Sequence, residues 1–152
     1  MDLDKKFQDQ ILKVSTRAAL AAFRFVGLKD KNSADKAAVD SMRSELNKIN
    51  MRGEIVIGEG ELDEAPMLYI GEKLGTLNGQ ELDIAVDPLE GTNFAASNLP
   101  GALSVIAVAE KSNLFNAPET LFFGGTRTHE MAIRITRHME DIIQGISKLP
   151  SI

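Results

Sequence analysis

Leu82-Asp83-Ile84-Ala85-Val86-Asp87-Pro88-Leu89-Glu90-Gly91-Thr92 is an apolar run that closes on two carboxylates, a glycine and a hydroxyl. Residues 82–86 read as a buried strand, and Pro88 with Gly91 predicts that the strand stops there and the chain turns. Asp87 then stands where strand gives way to loop. Hard cations such as Mg²⁺ and Mn²⁺ take oxygen ligands, and two of them about 3.5–4 Å apart clamp the attacking and leaving oxygens of a phosphoryl transfer. Asp87 and Glu90 suit that task, each serving one ion or sharing both. Asp, Pro and Gly are also the ordinary residues of a polar turn, so this stretch alone leaves both readings open.

Other acids occupy similar positions. Glu54-Ile55-Val56-Ile57 predicts a short strand, broken by Gly58-Glu59-Gly60-Glu61. The flanking glycines let the backbone bend to aim Glu59 with little crowding, and Asp63 and Glu64 follow closely. If the two strands are neighbours in one sheet, Glu59 and Asp87 meet at the same edge, where open α/β sheets place ligands. Asp35 can join them from the start of a helix expected after Asn32 or Ser33, with Ala38, Met42, Leu46 and Ile49 on its buried face. An acid in a first helical turn also has a plain purpose, because it complements the helix dipole by roughly 0.3–1 kcal/mol without any metal.

The rest of the chain supplies a frame. Leu3, Phe7, Ile11, Val14, Ala18, Ala22 and Phe25 recur at steps of three or four, so residues 3–26 read as a long amphipathic helix ending near Gly27. Residues 64–74 are compatible with a helix opened by Pro66. Asn78-Gly79 signals a turn into the Asp87 strand, and residues 103–108 predict another buried strand. The expected class is α/β, with a first portion over residues 1–119 and a tail over 120–152.

Composition excludes several functions. The 152 residues carry 17 Lys plus Arg against 22 Asp plus Glu, a formal charge of −5 with no clustered basic run, so nucleic acid is not an expected partner. With 43% hydrophobic and 26% charged residues the chain should fold. The absence of cysteine rules out disulfides, thiolate zinc sites and thiol catalysis. No apolar run approaches the ~20 residues of a membrane span, and the first residues lack a signal-peptide core. A cytoplasmic protein is expected.

Three segments together carry a resemblance. Asp30-Lys31-Asn32-Ser33-Ala34-Asp35, the run from Ile55 to Leu68 containing Gly58-Glu59-Gly60-Glu61, and Asp83 to Thr92 resemble class II fructose-1,6-bisphosphatases of the bacterial GlpX type, in order from about Leu12 to Pro118. The resemblance implies the N-terminal part of the layered α/β/α/β/α fold of the lithium-sensitive sugar and inositol phosphatases. It implies that Asp35 and Glu59 match ligands of one metal and Asp87 and Glu90 those of a second, either Mn²⁺ or Mg²⁺. Glu90, Gly91 and Thr92 match a segment that also touches substrate. The implied reaction removes the 1-phosphate of fructose 1,6-bisphosphate, a step of gluconeogenesis. Thr92 is placed to orient the attacking water, and Glu59 or Asp63 to accept its proton. Lys31 and Asn32 stand at a helix start that can meet a phosphate, although a solvated lysine before a helix is the plainer reading.

The resemblance stops after Pro118. Family members are much longer, and their second half supplies a tyrosine, arginines and another acidic ligand; here Glu119-Thr120-Leu121-Phe122 follows, and the one tyrosine is Tyr69. Thr126 to Arg134 has a fainter similarity to the family's C-terminal strands. Ile135, Met139, Ile142, Ile143, Ile146 and Leu149 keep helical spacing, so an amphipathic helix is expected over 131–148. His129, Glu130 and His138 lack the His-Glu-x-x-His spacing of a zinc helix. The alternative to an enzyme is therefore a shortened, weak or inactive relative that binds metal and self-associates, and uncovered sheet edges make a homo-oligomer the expectation.

Overall fold

Val14, Ala18 and Ala22, spaced by four, are the buried residues of helix α1 (Lys5–Phe23), with Phe7, Ile11 and Phe25 packed against the same core. The helix occupies less than the expected span, breaking after Phe23 into turns at Phe25 and Val26. This is a computed structural model, and it describes residues 5–59 and 67–114. Helix α2 (Lys31–Leu46) buries Ala34, Ala38, Val39, Met42 and Leu46, and Ile49 just beyond it is buried as expected. Its start differs from the sequence expectation. Asp30 is the cap, accepting from the Ser33 amide at 3.0 Å and the Ser33 hydroxyl at 2.6 Å, because a carboxylate satisfies two donors where Asn32 or Ser33 would satisfy one.

Among the described residues, four strands follow and form one sheet. They are β1 (Met51–Ile57), β2 (Lys73–Leu74), β3 (Gln80–Glu90) and β4 (Leu103–Glu110), with a five-residue helix α3 (Thr92–Ala96) between the last two. In the sheet order β2-β1-β3-β4, β1 and β3 are parallel, whereas β2 and β4 run antiparallel to their neighbours. The mixed sheet and its helices make the chain an α/β protein. Alternation divides the sheet. Met51, Ile55, Leu82, Ile84 and Val86 join the helices' core, with Ile106 and Val108 beside them, while Glu54, Asp83 and Asp87 take the intervening positions. Each fully buried Met42, Leu46 or Ile84 side chain contributes roughly 1.5–3 kcal/mol of burial.

Two expectations change here. β3 does not stop at Pro88 but runs to Glu90, through a register shift against β4 between Asp87 and Glu90. Proline lacks the amide that a regular ladder would require, so it fits at such an irregularity. The helix expected over 64–74 is absent from its described part: residues 67–72 are irregular and Lys73–Leu74 is a strand paired with Gly53 and Glu54. Pro66 and Asp63 lie outside the described residues, as do Leu3 and the whole tail, including the amphipathic helix expected over 131–148. Asn78-Gly79 turns as expected, with Gly79 at φ 80°.

Candidate metal centre

Parallel pairing of β1 with β3 sets the geometry of the site. Ile57 is in register with Ala85, so Glu59 and Asp87, each two residues further on, leave the same edge of adjacent strands. Gly58 makes the exit possible. A Cβ at that position would sit 2.4 Å from the Leu68 carbonyl oxygen and 2.8 Å from Ile55 Cγ2, so only glycine lets the chain pass this close. The close passage lets the Glu59 amide donate to the Leu68 carbonyl at 3.1 Å. In return the Leu68 amide donates to Glu59 Oε2 at 2.8 Å. One oxygen of Glu59 is thus fixed by the backbone.

Asp87 is held similarly, its Oδ1 accepting from the Leu89 amide at 3.1 Å. Gly91, at φ 76°, then reverses the chain between Glu90 and Thr92 and opens α3, the left-handed backbone being cheap only for glycine. Asp35 falls in the second turn of α2 rather than its first, because the helix begins at Lys31. The helix dipole acts mainly within the first turn, so it gives a poorer account of this acid than the sequence suggested.

Electrostatics ties the four acids together. Asp87 is pushed up to about 7, first by burial, then by its hydrogen bond with Glu90 and the charges of Glu90 and Glu59. Glu59 is raised by burial, against the Leu68 amide, and is raised further by the charge of Asp35. Burial raises Asp35 as well. Asp35 therefore acts on Glu59, and Glu59 and Glu90 both act on Asp87. Among the described residues none of the four is in an ion pair. Asp35, Glu59 and Asp87 are half-buried and Glu90 is exposed, and half-buried like charges without a cation are costly unless something neutralises them.

The donor set is all oxygen, which suits Mg²⁺ or Mn²⁺ and not thiolate- or imidazole-seeking metals. Among the described residues no three acidic or histidine side chains converge closely enough to hold one ion by themselves. The carboxylates are linked pairwise, by charge between Asp35, Glu59 and Asp87 and by a hydrogen bond between Asp87 and Glu90, and not as a closed cage; Asp63 lies outside the described residues. Thr92 is half-buried at the start of α3, one residue past Gly91. Lys31 and Asn32 are exposed on the first turn of α2.

One group near the site was not singled out by sequence. Arg43 of α2 donates from Nε to Glu72 Oε1 at 2.6 Å and from Nη2 to Glu72 Oε2 at 3.1 Å, and Nη2 also reaches the Met67 carbonyl. Its charge is the one cationic influence on Glu59 among the described residues. The partners lie 24 and 29 residues away in sequence, so no local pattern signals them.

Comparison with known proteins gives a consistent result. The family model for bacterial fructose-1,6-bisphosphatase, glpX-encoded, matches residues 5–150. The D-fructose 1,6-bisphosphatase class 2/sedoheptulose 1,7-bisphosphatase of Synechococcus sp. (strain RCC307) is 52% identical over 117 residues, covering 77% of this chain and 35% of that protein. Fructose-1,6-bisphosphatase 1 class 2 of Escherichia coli (strain K12) is 56% identical over 107 residues, 70% of this chain and 32% of that one. The chain thus spans about a third of the length of these relatives. The family match extends beyond Pro118 through most of the remaining segment, to residue 150. With helices on a mixed sheet and acids leaving one edge of two parallel strands, the chain belongs to the family of bacterial, glpX-encoded class 2 fructose-1,6-bisphosphatases.

Proposed function

We propose that Asp35, Glu59, Asp87 and Glu90 form the carboxylate half of a two-cation centre for hydrolysis of the 1-phosphate of fructose 1,6-bisphosphate. The supporting observation is that half-buried Glu59 and Asp87 leave one sheet edge, with half-buried Asp35 of α2 and exposed Glu90 acting on them as like charges, and that none of the four is in an ion pair among the described residues. Asp35 and Glu59 would hold one ion and Asp87 and Glu90 the other. Bound Mn²⁺ or Mg²⁺ supplies a water of lowered pKa and neutralises charge gathering on the transferring phosphate. The Thr92 hydroxyl orients the attacking water, and Glu59 or Asp63 takes its proton. Glu90, Gly91 and Thr92 border the sugar phosphate. The name of the Synechococcus relative adds sedoheptulose 1,7-bisphosphate as a second substrate to test. No helix among the described residues is long and apolar enough to cross a membrane, and we place the reaction in the cytoplasm.

The test is phosphate release from each sugar bisphosphate with Mn²⁺ or Mg²⁺, run beside Asp87→Ala. Release that needs metal and is lost in the variant supports the proposal. No release from either protein, with metal still raising the melting temperature, would leave a metal-binding relative in place of an enzyme.

A further inference from the structure

The Arg43–Glu72 pair closes a ring of contacts around Glu59. Glu72 is pinned to β1 by its own backbone, its carbonyl accepting from the Ile55 amide at 3.0 Å, and the Gly71 amide donates to the Ile55 carbonyl at 2.8 Å. Its carboxylate takes the Arg43 guanidinium through two nitrogens, Nε and Nη2. The same Nη2 reaches the carbonyl of Met67, and the peptide that follows that carbonyl carries the Leu68 amide bonded to Glu59 Oε2. Glu59 is itself the second residue past β1. The ring therefore runs from β1 through Glu72, Arg43, Met67 and Leu68 back to the end of β1.

We propose that Arg43 is a positioning residue for Glu59, fixing the Met67–Leu68 peptide whose amide aims the Glu59 carboxylate. This rests on the reading of Glu59 as a metal ligand. The guanidinium is suited to the task because its planar fork grips a carboxylate and a carbonyl at once, which a lysine ammonium cannot reproduce with the same geometry. The pair is also shielded, with side chains 29% and 10% exposed, so the grip is firmer than a surface pair's. Arg43 shares α2 with Asp35, eight residues earlier, about 12 Å along the helix axis. One rigid helix thus carries a ligand of the proposed centre and the brace of another. Groups that orient metal ligands from behind change metal affinity by about 10–100-fold when removed.

The test compares Mn²⁺ affinity in the wild type, Arg43→Lys, Glu72→Gln and Glu59→Gln, each well below its melting temperature, with the hydrogen-exchange rate of the Leu68 amide read in the same samples. Arg43→Lys keeps the charge and loses the fork. The expected result is Mn²⁺ binding weakened about 10-fold or more in Arg43→Lys, with faster exchange at Leu68; Glu72→Gln follows in the same direction and carries the test if Arg43→Lys does not fold. Wild-type affinity in the folded brace variants, with binding lost in Glu59→Gln, would overturn the positioning role and leave the metal reading intact. Wild-type affinity in Glu59→Gln would overturn the metal reading itself, and the role of Arg43 with it.

Discussion

Glu54 and Asp83, cross-strand partners within β1 and β3, are met by lysines, whereas Glu59, just past Gly58 at the end of β1, and Asp87, just before Pro88 near the end of β3, are not. Lys73 reaches Glu54 Oε2 at 2.6 Å, and Lys111 reaches Glu54 while standing 3.6 Å from Asp83 Oδ1. Hydrogen bonds from Lys111 and then Lys73 hold Glu54 below the usual carboxylate range. At the edge the direction reverses, and burial with neighbouring acids pushes Asp87 and Glu59 up. Where acids serve the sheet, this fold supplies lysine; at the edge no cation pairs with them among the described residues, which is what the proposed two-cation centre requires.

Removing an acid from each group should therefore act with opposite signs on stability. The largest effect is expected from Asp87→Asn, which should weaken Mn²⁺ binding and sugar-phosphate turnover by more than about 100-fold. In metal-free protein the same change should stabilise. Folded Asp87, raised from 3.8 to about 7, keeps a proton that the unfolded chain has released. Stability then falls as pH rises from about 4 to 7 and stays reduced above that. Asp87→Asn should flatten this slope in denaturant melts without metal. A variant that loses metal binding and also loses stability at pH 8 would break the comparison.

Much of this contrast was legible in the sequence. Apolar runs marked β1, β3 and β4, and an acid just past two of them pointed to one shared edge; parallel pairing then brought Glu59 and Asp87 together. What was not legible depended on distant partners. β3 continues through Pro88 because a ladder irregularity spares its missing amide, and residues 67–72 follow bonds from Arg43 and β1 rather than their own helix-compatible pattern. α3, at five residues, is too short to show a helical period. Asp35 moved to the second turn because Asp30, with Ser33, captured the cap.

Lys111→Met probes the other side of the comparison. Asp83 is 2% exposed, and its Oδ1 makes no hydrogen bond, so Lys111 is its nearest compensation although 3.6 Å exceeds hydrogen-bond length. Losing it should cost about 1–2 kcal/mol, less than a fully buried pair would because Lys111 is itself well exposed. Glu54 contributes stability above its ordinary value of 4.5 that disappears as pH falls through its lowered folded value. The variant should lose less on acidification than the wild type, and its Mn²⁺ affinity should not move. Weakened metal binding here would mean that the two groups of acids are one electrostatic unit.

The smallest effect is expected from Lys36→Ala on α2, where an acid has a partner but no burial. Lys36 and Asp40 pair at 2.8 Å in an i,i+4 arrangement, with both side chains more than half exposed. Water already solvates both charges, so the pair should be worth no more than about 0.5 kcal/mol. Screening at 1 M salt, where the Debye length is about 3 Å, should erase even that. Melting curves at low and high salt read both quantities. If Lys36→Ala costs as much as Lys111→Met, pairing alone would set the value of an acid on this fold. If it costs little, burial is what makes the lysines beside Glu54 and Asp83 necessary, and the same burial, without lysine, is what the proposed cations would offset at the sheet edge.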